Sequence, residues 1–309
     1  MGKLTVTEVH EKNFGNCVKI ENGEVEMLVT LDFGPRIIHY ALCGHENMMY
    51  QDLAHSTLGE AYPAYRGDQI KLYGGHRLWL SPEILPRTYH PDNLPVEYRK
   101  TLEGIEFIAP IEEFSQVQKS MFISMNETNN DVQIMHKITN HSLWELEIAP
   151  WAITMMSPSG VAVVPIGGPA TGVLPNRRIA LWDYTNPADS RMKMGREFCL
   201  IQQSPSATEP FKIGMYNHSG YTAYFNNGQV FLKHFNAMDG LYTDFGCNFE
   251  VYTNEHCLES ETLGPLQVLA TGQSVLHTEI WQIYLEAKKP QTEAEAAELI
   301  RKYYTDENS

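Results

Sequence analysis

Two adjacent glycines in Tyr73-Gly74-Gly75-His76-Arg77-Leu78-Trp79-Leu80-Ser81-Pro82-Glu83 let the backbone turn sharply or approach a ligand closely. Beside them stand a histidine able to exchange protons near neutrality, an arginine with a planar fork of donors, and a flat indole. That set suits a polyhydroxylated ligand such as a sugar, whose hydroxyls meet charged side chains while a C–H face lies on Trp79. The alternative is a hairpin turn ahead of a strand, with Trp79 in the core and His76 and Arg77 in solvent.

Other candidates lie elsewhere in the chain. Arg36 follows the break Gly34-Pro35, where a loop hands over to the run Ile37-Ile38-His39-Tyr40-Ala41-Leu42. Asn140-His141-Ser142 closes one alternating run and precedes another that ends at Trp151, and its Asn-His pair either serves chemistry or caps a turn. Glu259 and Glu261 stand two apart in Cys257-Leu258-Glu259-Ser260-Glu261-Thr262, a spacing that puts both carboxylates on one face of a strand. The sequence has no His-Glu-x-x-His, no P-loop, no Gly-x-Gly-x-x-Gly and no Gly-x-Ser-x-Gly. No cofactor and no metal are therefore expected, although His76, His141 and Glu259 form the set that strands would have to gather around one.

The elements that must position these residues are strands. β-Branched residues alternate with polar ones from 4 to 8 and from 16 to 31, with Asn22-Gly23 as a hairpin signal. Runs at 104–109, 117–126 and 131–140 form a meander, and 161–166, 211–216, 221–226, 229–235, 247–253, 257–262 and 278–285 continue the pattern. Residues 51–72 keep no sustained period and hold a short helix or a long loop. Pro82, Pro86, Pro91 and Pro95 punctuate a further irregular excursion, of a length that is uncommon unless it builds a site. Clear helix comes only near the end, where Thr292-Glu293-Ala294-Glu295 reads as a capping box opening a helix to Tyr304. Many strands without βαβ alternation specify an all-β fold, a large antiparallel β-sandwich with a short C-terminal helix. Residues 1–288 are expected to form the sandwich domain, and 289–309 the helix and a tail that is disordered at its end.

Composition narrows the function classes. In 309 residues, 43% apolar content is ample for a core, and a net charge of −15 opposes nucleic acid and anionic membranes as partners. The five cysteines are odd in number and widely spaced, which indicates neither a disulfide framework nor a zinc knuckle. No apolar run fits a signal peptide or a membrane span, so a cytoplasmic location is expected. Oligomeric state is left open.

Asn140-His141-Ser142, Val251-Tyr252-Thr253-Asn254 and Cys257-Leu258-Glu259 resemble, in that order, motifs of the galactose mutarotase (aldose 1-epimerase) superfamily. Gly34-Pro35-Arg36-Ile37-Ile38, Leu269-Ala270-Thr271-Gly272-Gln273 and Trp281 resemble its opening Gly-x-Arg-Ile and its late Pro-Gly-Glu turn, so the traces run along most of the chain. Gly74-Gly75-His76-Arg77-Leu78-Trp79 and the segment from Glu259 to Pro265 are more similar to a side branch of that superfamily than to galactose mutarotases themselves. Two departures stand out. The long insertion before the family's glutamate shrinks to Asn254-Glu255-His256, and Cys-Leu-Glu-Thr-Gln matches in two halves, Cys257-Leu258-Glu259 and Glu261-Thr262.

The resemblance implies interconversion of the anomers of a small-molecule carbohydrate. Glu261 or Glu259 would take the anomeric proton, and His141 would serve the ring oxygen. Arg36, His76 and Arg77 would hold hydroxyls, with Trp79 or Trp151 as the apolar platform. Two other readings share the fold: a noncatalytic carbohydrate-binding or sensing domain, and a glycoside-cleaving enzyme. The latter would pair Glu83 with Glu259 or Glu261, their carboxyls about 5–5.5 Å or about 6.5–9.5 Å apart.

Overall fold

Alternation around Asn22-Gly23 folds as the hairpin of Gly15–Glu21 with Val25–Thr30. Asn22 fixes the turn, its Oδ1 accepting from the peptide N–H groups of Glu24 and Val25, both at 2.9 Å. The computed structural model describes residues 4–304. Met1-Gly2-Lys3 and the tail from Thr305, the part expected to be disordered, lie outside the described residues.

Two large sheets face each other. One has 11 strands, and its middle runs Ile37–Leu42, His76–Ser81, Leu146–Met156, Leu258–Leu263, Phe249–Thr253 and Phe211–Met215. The other has 10, with Gln229–Phe235, Ser274–Leu285, Val132–Asn140 and Val117–Met125 side by side. Every pairing in these sheets is antiparallel, as in the sandwich expected from the sequence. Apolar side chains from the inner faces, among them Ile213, Val251, Phe249, Ile134, Phe231 and Trp281, fill the space between the sheets. Burial of this shared face is what fixes register, because a slip of one residue would turn each apolar set outward.

The C-terminal helix Glu293–Ile300 packs Ala296, Leu299 and Ile300 against the outer side of the ten-stranded sheet, on Val161, Leu200 and Phe225. Thr292 caps it by accepting from the Glu295 peptide N–H, and the Glu295 carboxylate reaches back to accept from the Gln291 and Thr292 peptides. The helix stops before Tyr304 because the Lys302 and Tyr303 peptides bond three residues back, to Leu299 and Ile300, which tightens the last turn.

Residues 51–72 contain no α-helix, only the paired short strands Thr57–Leu58 and Ile70–Lys71 and the 3₁₀ turn Pro63–Tyr65. The strands Ile179–Leu181, Met192–Met194 and Phe198–Gln202 escape the sequence reading, two being three residues long and the third an apolar run with no period. All five cysteines are free thiols; Cys17, Cys199, Cys247 and Cys257 are buried. Among the described residues no helix is long and apolar enough to cross a membrane.

Candidate active site

Strand register assembles the site. Arg77 stands opposite Ile153, Ile153 opposite Glu261, and Glu261 opposite Glu250, so one row crosses four strands of the eleven-stranded sheet. A second row joins Trp79, Trp151 and Leu263, and a third brings Met155 beside Glu259 and Glu259 beside Tyr252. Alternation along each strand puts these side chains on the sheet's outer face. His76, one residue before Arg77, points the other way, into the sandwich.

On the outer face Lys212 is the hub. Its ammonium lies 2.8 Å from Glu250 Oε2 and 3.0 Å from Glu261 Oε2, and sits over the rings of Trp151 and Trp182 at 4.8 and 4.7 Å. Trp151 Nε1 donates to the same Glu261 oxygen at 2.7 Å, leaving Glu261 Oε1 buried without a partner. Burial alone would lower the Lys212 pKa, but the Glu261 and Glu250 carboxylates outweigh it and hold it well above the usual value. Glu250 is pushed well above the usual carboxylate range, by burial first, with Lys212 opposing.

Glu259 differs from its neighbours because it is half-buried while Glu261 and Glu250 are fully enclosed. Its pKa rises to about 7, chiefly through burial and then the Glu261 charge, against the pull of Arg77 and Lys212. Glu83 adds a smaller upward push. Tyr184, 43% exposed, lies over this region within electrostatic reach of Lys212, Glu261, Tyr252 and Glu83. A carboxyl at this pKa is present in both protonation states near neutrality and can give or take a proton.

The candidate residues divide. Glu259, Glu261, Arg77, Trp79 and Trp151 come together on the outer face. Trp79 and Trp151 are only 6% and 5% exposed, so neither is an open platform. Their faces carry cations instead, Arg77 at 4.1 Å over Trp79 and Lys212 over Trp151.

His141 does not join them. It is exposed in the turn after Val132–Asn140, and Asn140 makes that turn by accepting from Ser142 N and Oγ, each at 2.8 Å. Asn140 also donates to the carbonyls of Trp144 and Leu269, which ties the turn to the Leu146 end of its strand. Glu261 pairs with Ile153, seven residues farther on, or about 23 Å of strand rise. His141 therefore stands at one end of the sandwich, far from both carboxylates.

His76 is wholly enclosed between the sheets. Its Nε2 lies 2.7 Å from His136 Nε2 and its Nδ1 2.8 Å from Thr154 Oγ1. Lys233 donates to the same threonine and pairs with Glu279 at 3.2 Å, while Trp281 Nε1 donates to Glu279 at 2.8 Å. Burial drives the His76 pKa well below its usual value and that of His136 to about 3, so both imidazoles are neutral near pH 7. This is a structural network rather than a sugar contact. The ligand atoms of His76, His136 and Glu279 lie within 4.8 Å of one another, but the two ring nitrogens bond each other directly and the neighbouring ammonium already serves the carboxylate. Arg36 is also fully buried. It grips Asp92 through Nε and Nη2 at 2.9 and 2.8 Å and donates to the carbonyls of Lys71 and Leu72, pinning two loops rather than a ligand.

Lys212 and Glu250 were not legible as site residues, yet each left a trace. Lys212 interrupts Phe211-Lys212-Ile213-Gly214-Met215, and Glu250 interrupts Phe249-Glu250-Val251, at the alternate positions that face outward. A charge inside an otherwise apolar strand, on the face opposite the core, is the usable signal.

No family model and no curated protein matches this sequence. Solved structures do match in fold. A galactose mutarotase-like protein from Clostridium acetobutylicum aligns with a TM-score of 0.54 at 9% identity, over 92% of this chain and 99% of that one. YeaD from Salmonella typhimurium aligns with 0.58 at 10% identity, over 93% and 96%. A TPR-domain containing protein from Parabacteroides distasonis aligns with 0.59 at 12% identity over 90% of this chain, which spans 49% of that longer protein. The chain therefore has the galactose mutarotase-like fold, and identities this low carry the fold alone.

Proposed function

We propose that the chain binds a small carbohydrate on the outer face of the eleven-stranded sheet and interconverts its anomers, with Glu259 as the proton-exchanging group. The observation that carries this reading is a half-buried carboxyl poised at about 7, beside a buried and ion-paired second carboxylate. In its acid form Glu259 presents an O–H and a carbonyl oxygen side by side. The anomeric hydroxyl and the ring oxygen share one carbon, so both fall within the span of a single carboxyl. The anomeric proton passes to the carbonyl oxygen while the acid proton passes to the ring oxygen, and the bond from C1 to the ring oxygen breaks. Glu259 ends as an acid with its proton on the other oxygen. Rotation about C1–C2 and reversal of the steps give the other anomer. Proton transfer by a positioned group contributes about 10²- to 10⁴-fold.

Glu261 acts through Glu259 and is a positioning residue, its charge lifting the Glu259 pKa into the useful range while Lys212 keeps it anchored. The place of His141 at the end of the sandwich favours a second reading, carbohydrate binding without catalysis. Polarimetry on freshly dissolved anomers of pentoses, hexoses and their acids separates the two. Relaxation faster than the spontaneous rate is the result expected; unchanged relaxation for every sugar that binds would leave the binding domain.

A further inference from the structure

A cavity of about 190 Å³ lies at the free edge of the His76–Ser81 strand, where Arg77, Leu78 and Trp79 meet Lys119, Ser120 and Met121 of the facing sheet. Ile37–Leu42 pairs with that strand only at Ile37 opposite His76, so beyond His76 the edge has no strand partner among the described residues. Leu80 uses its carbonyl on this side to accept from the Thr88 hydroxyl at 3.1 Å. Peptide groups two residues apart on a strand point the same way, so Leu78, which lines the cavity, turns its N–H and C=O toward it. The volume is large enough for a compact ligand.

Apart from the exposed Asp68, which accepts from Asn93 and the Gln69 peptide, the charges around this cavity are ion-paired with one exception. Lys119 holds Glu112 at 2.6 Å, Arg36 holds Asp92 at 2.8 Å, and Arg66 holds Glu113 at 2.5 Å. Arg77 has no such partner. It is 2% exposed, its Nε and Nη1 are buried and unbonded, and it has no ion pair within 4.0 Å among the described residues. Burial lowers its pKa to about 10, which still leaves it protonated at neutrality. Two further polar atoms of the lining, His90 Nδ1 and His136 Nδ1, are also buried without partners. An unpaired buried cation costs several kcal/mol, and a bound anion removes that cost.

We infer that this cavity is a binding site for the carboxylate of a sugar acid, held by the Arg77 guanidinium, with the His90 imidazole and the Leu78 peptide meeting its hydroxyls. One unpaired positive charge calls for one negative charge. A dianionic phosphate would bring a second charge into a lining that already holds Glu112, Asp92, Glu113 and Asp68. A planar carboxylate also matches the planar fork of donors. Arg77 lies in the same row as Glu261 and within electrostatic reach of Glu259, which links the cavity to the carboxylates. This inference rests on the proposed carbohydrate reading for the ring portion of the ligand, and on the cavity alone for the carboxylate.

The test is titration calorimetry of the full chain with sodium D-glucuronate, D-glucose and D-glucose 6-phosphate, repeated on Arg77→Gln and Arg77→Lys. Glucuronate should bind tightest. Arg77→Gln should weaken it by about 10- to 150-fold, the worth of a hydrogen bond to a charged group. Arg77→Lys, which keeps the charge without the fork, should fall between, and it also serves if Arg77→Gln fails to fold. Without ligand, Arg77→Gln should unfold no more easily than the wild type, since it removes an unpaired charge. Tighter binding of the phosphate, equal binding of glucose, or glucuronate binding unchanged in both variants would overturn the inference. Failure of the anomer-exchange reading looks different: glucuronate binds through Arg77 but relaxes no faster in polarimetry.

Discussion

Replacing Lys212 by Met removes the ammonium that lies between two buried carboxylates while keeping a side chain of similar length against Trp151 and Trp182. Glu250 and Glu261 lie 2.8 and 3.0 Å from that ammonium and are both fully buried, so neither can turn to solvent when it is lost. Removing one partner of a buried ion pair costs about 3–5 kcal/mol, a large fraction of the about 5–15 kcal/mol by which domains are stable. The pH dependence carries the sign. Without Lys212 the Glu250 carboxyl, already raised by burial, loses the charge that opposes that rise and moves further above its unfolded pKa, so the folded state binds protons more readily and gains stability as pH falls. Urea unfolding followed by tryptophan fluorescence should show the full deficit near pH 7.5 and a smaller one near pH 5. A deficit below about 1 kcal/mol at neutral pH, or one that widens in acid, would refute the reasoning. The same change should raise the Glu259 pKa above about 7, because Lys212 is one of the two charges that hold it down.

Wild-type anomer exchange should be flat in acid and fall about tenfold per pH unit above about 7, since the reaction uses the acid form of Glu259; a profile that rises through this range contradicts that role. His141→Ala should leave exchange within about twofold of wild type, since that side chain sits at the far end of the sandwich, and polarimetry checks this. Arg36→Met should destabilise by about 3 kcal/mol in urea unfolding, because it strands Asp92 and leaves the Lys71 and Leu72 carbonyls without their donor.

The sequence made the sandwich legible because alternation of period two recurs in run after run and Asn22-Gly23 marks a turn between two of them. It could not show which face of a strand meets the other sheet. His76 and Arg77 are adjacent and chemically attractive, but one belongs to a buried network with His136 and the other to the outer face. Parity separates them, and parity has meaning only once the partner sheet is known. Asn140-His141 has a local role that the motif alone does not reveal: Asn140 bonds Ser142 two residues on, a turn-forming habit of asparagine. Glu259 and Glu261 were correctly placed on one face, yet their roles depend on depth, which spacing cannot reveal.

The most direct measurement is the anomer-exchange rate of Glu259→Gln by NMR saturation transfer, using a sugar shown by calorimetry to bind. The amide keeps size and hydrogen bonding but cannot shuttle the proton. Exchange should fall at least about 10²-fold with affinity nearly unchanged, the signature of a group that matters in the transition state. An unchanged rate in a variant that binds normally would contradict the assignment of proton exchange to Glu259.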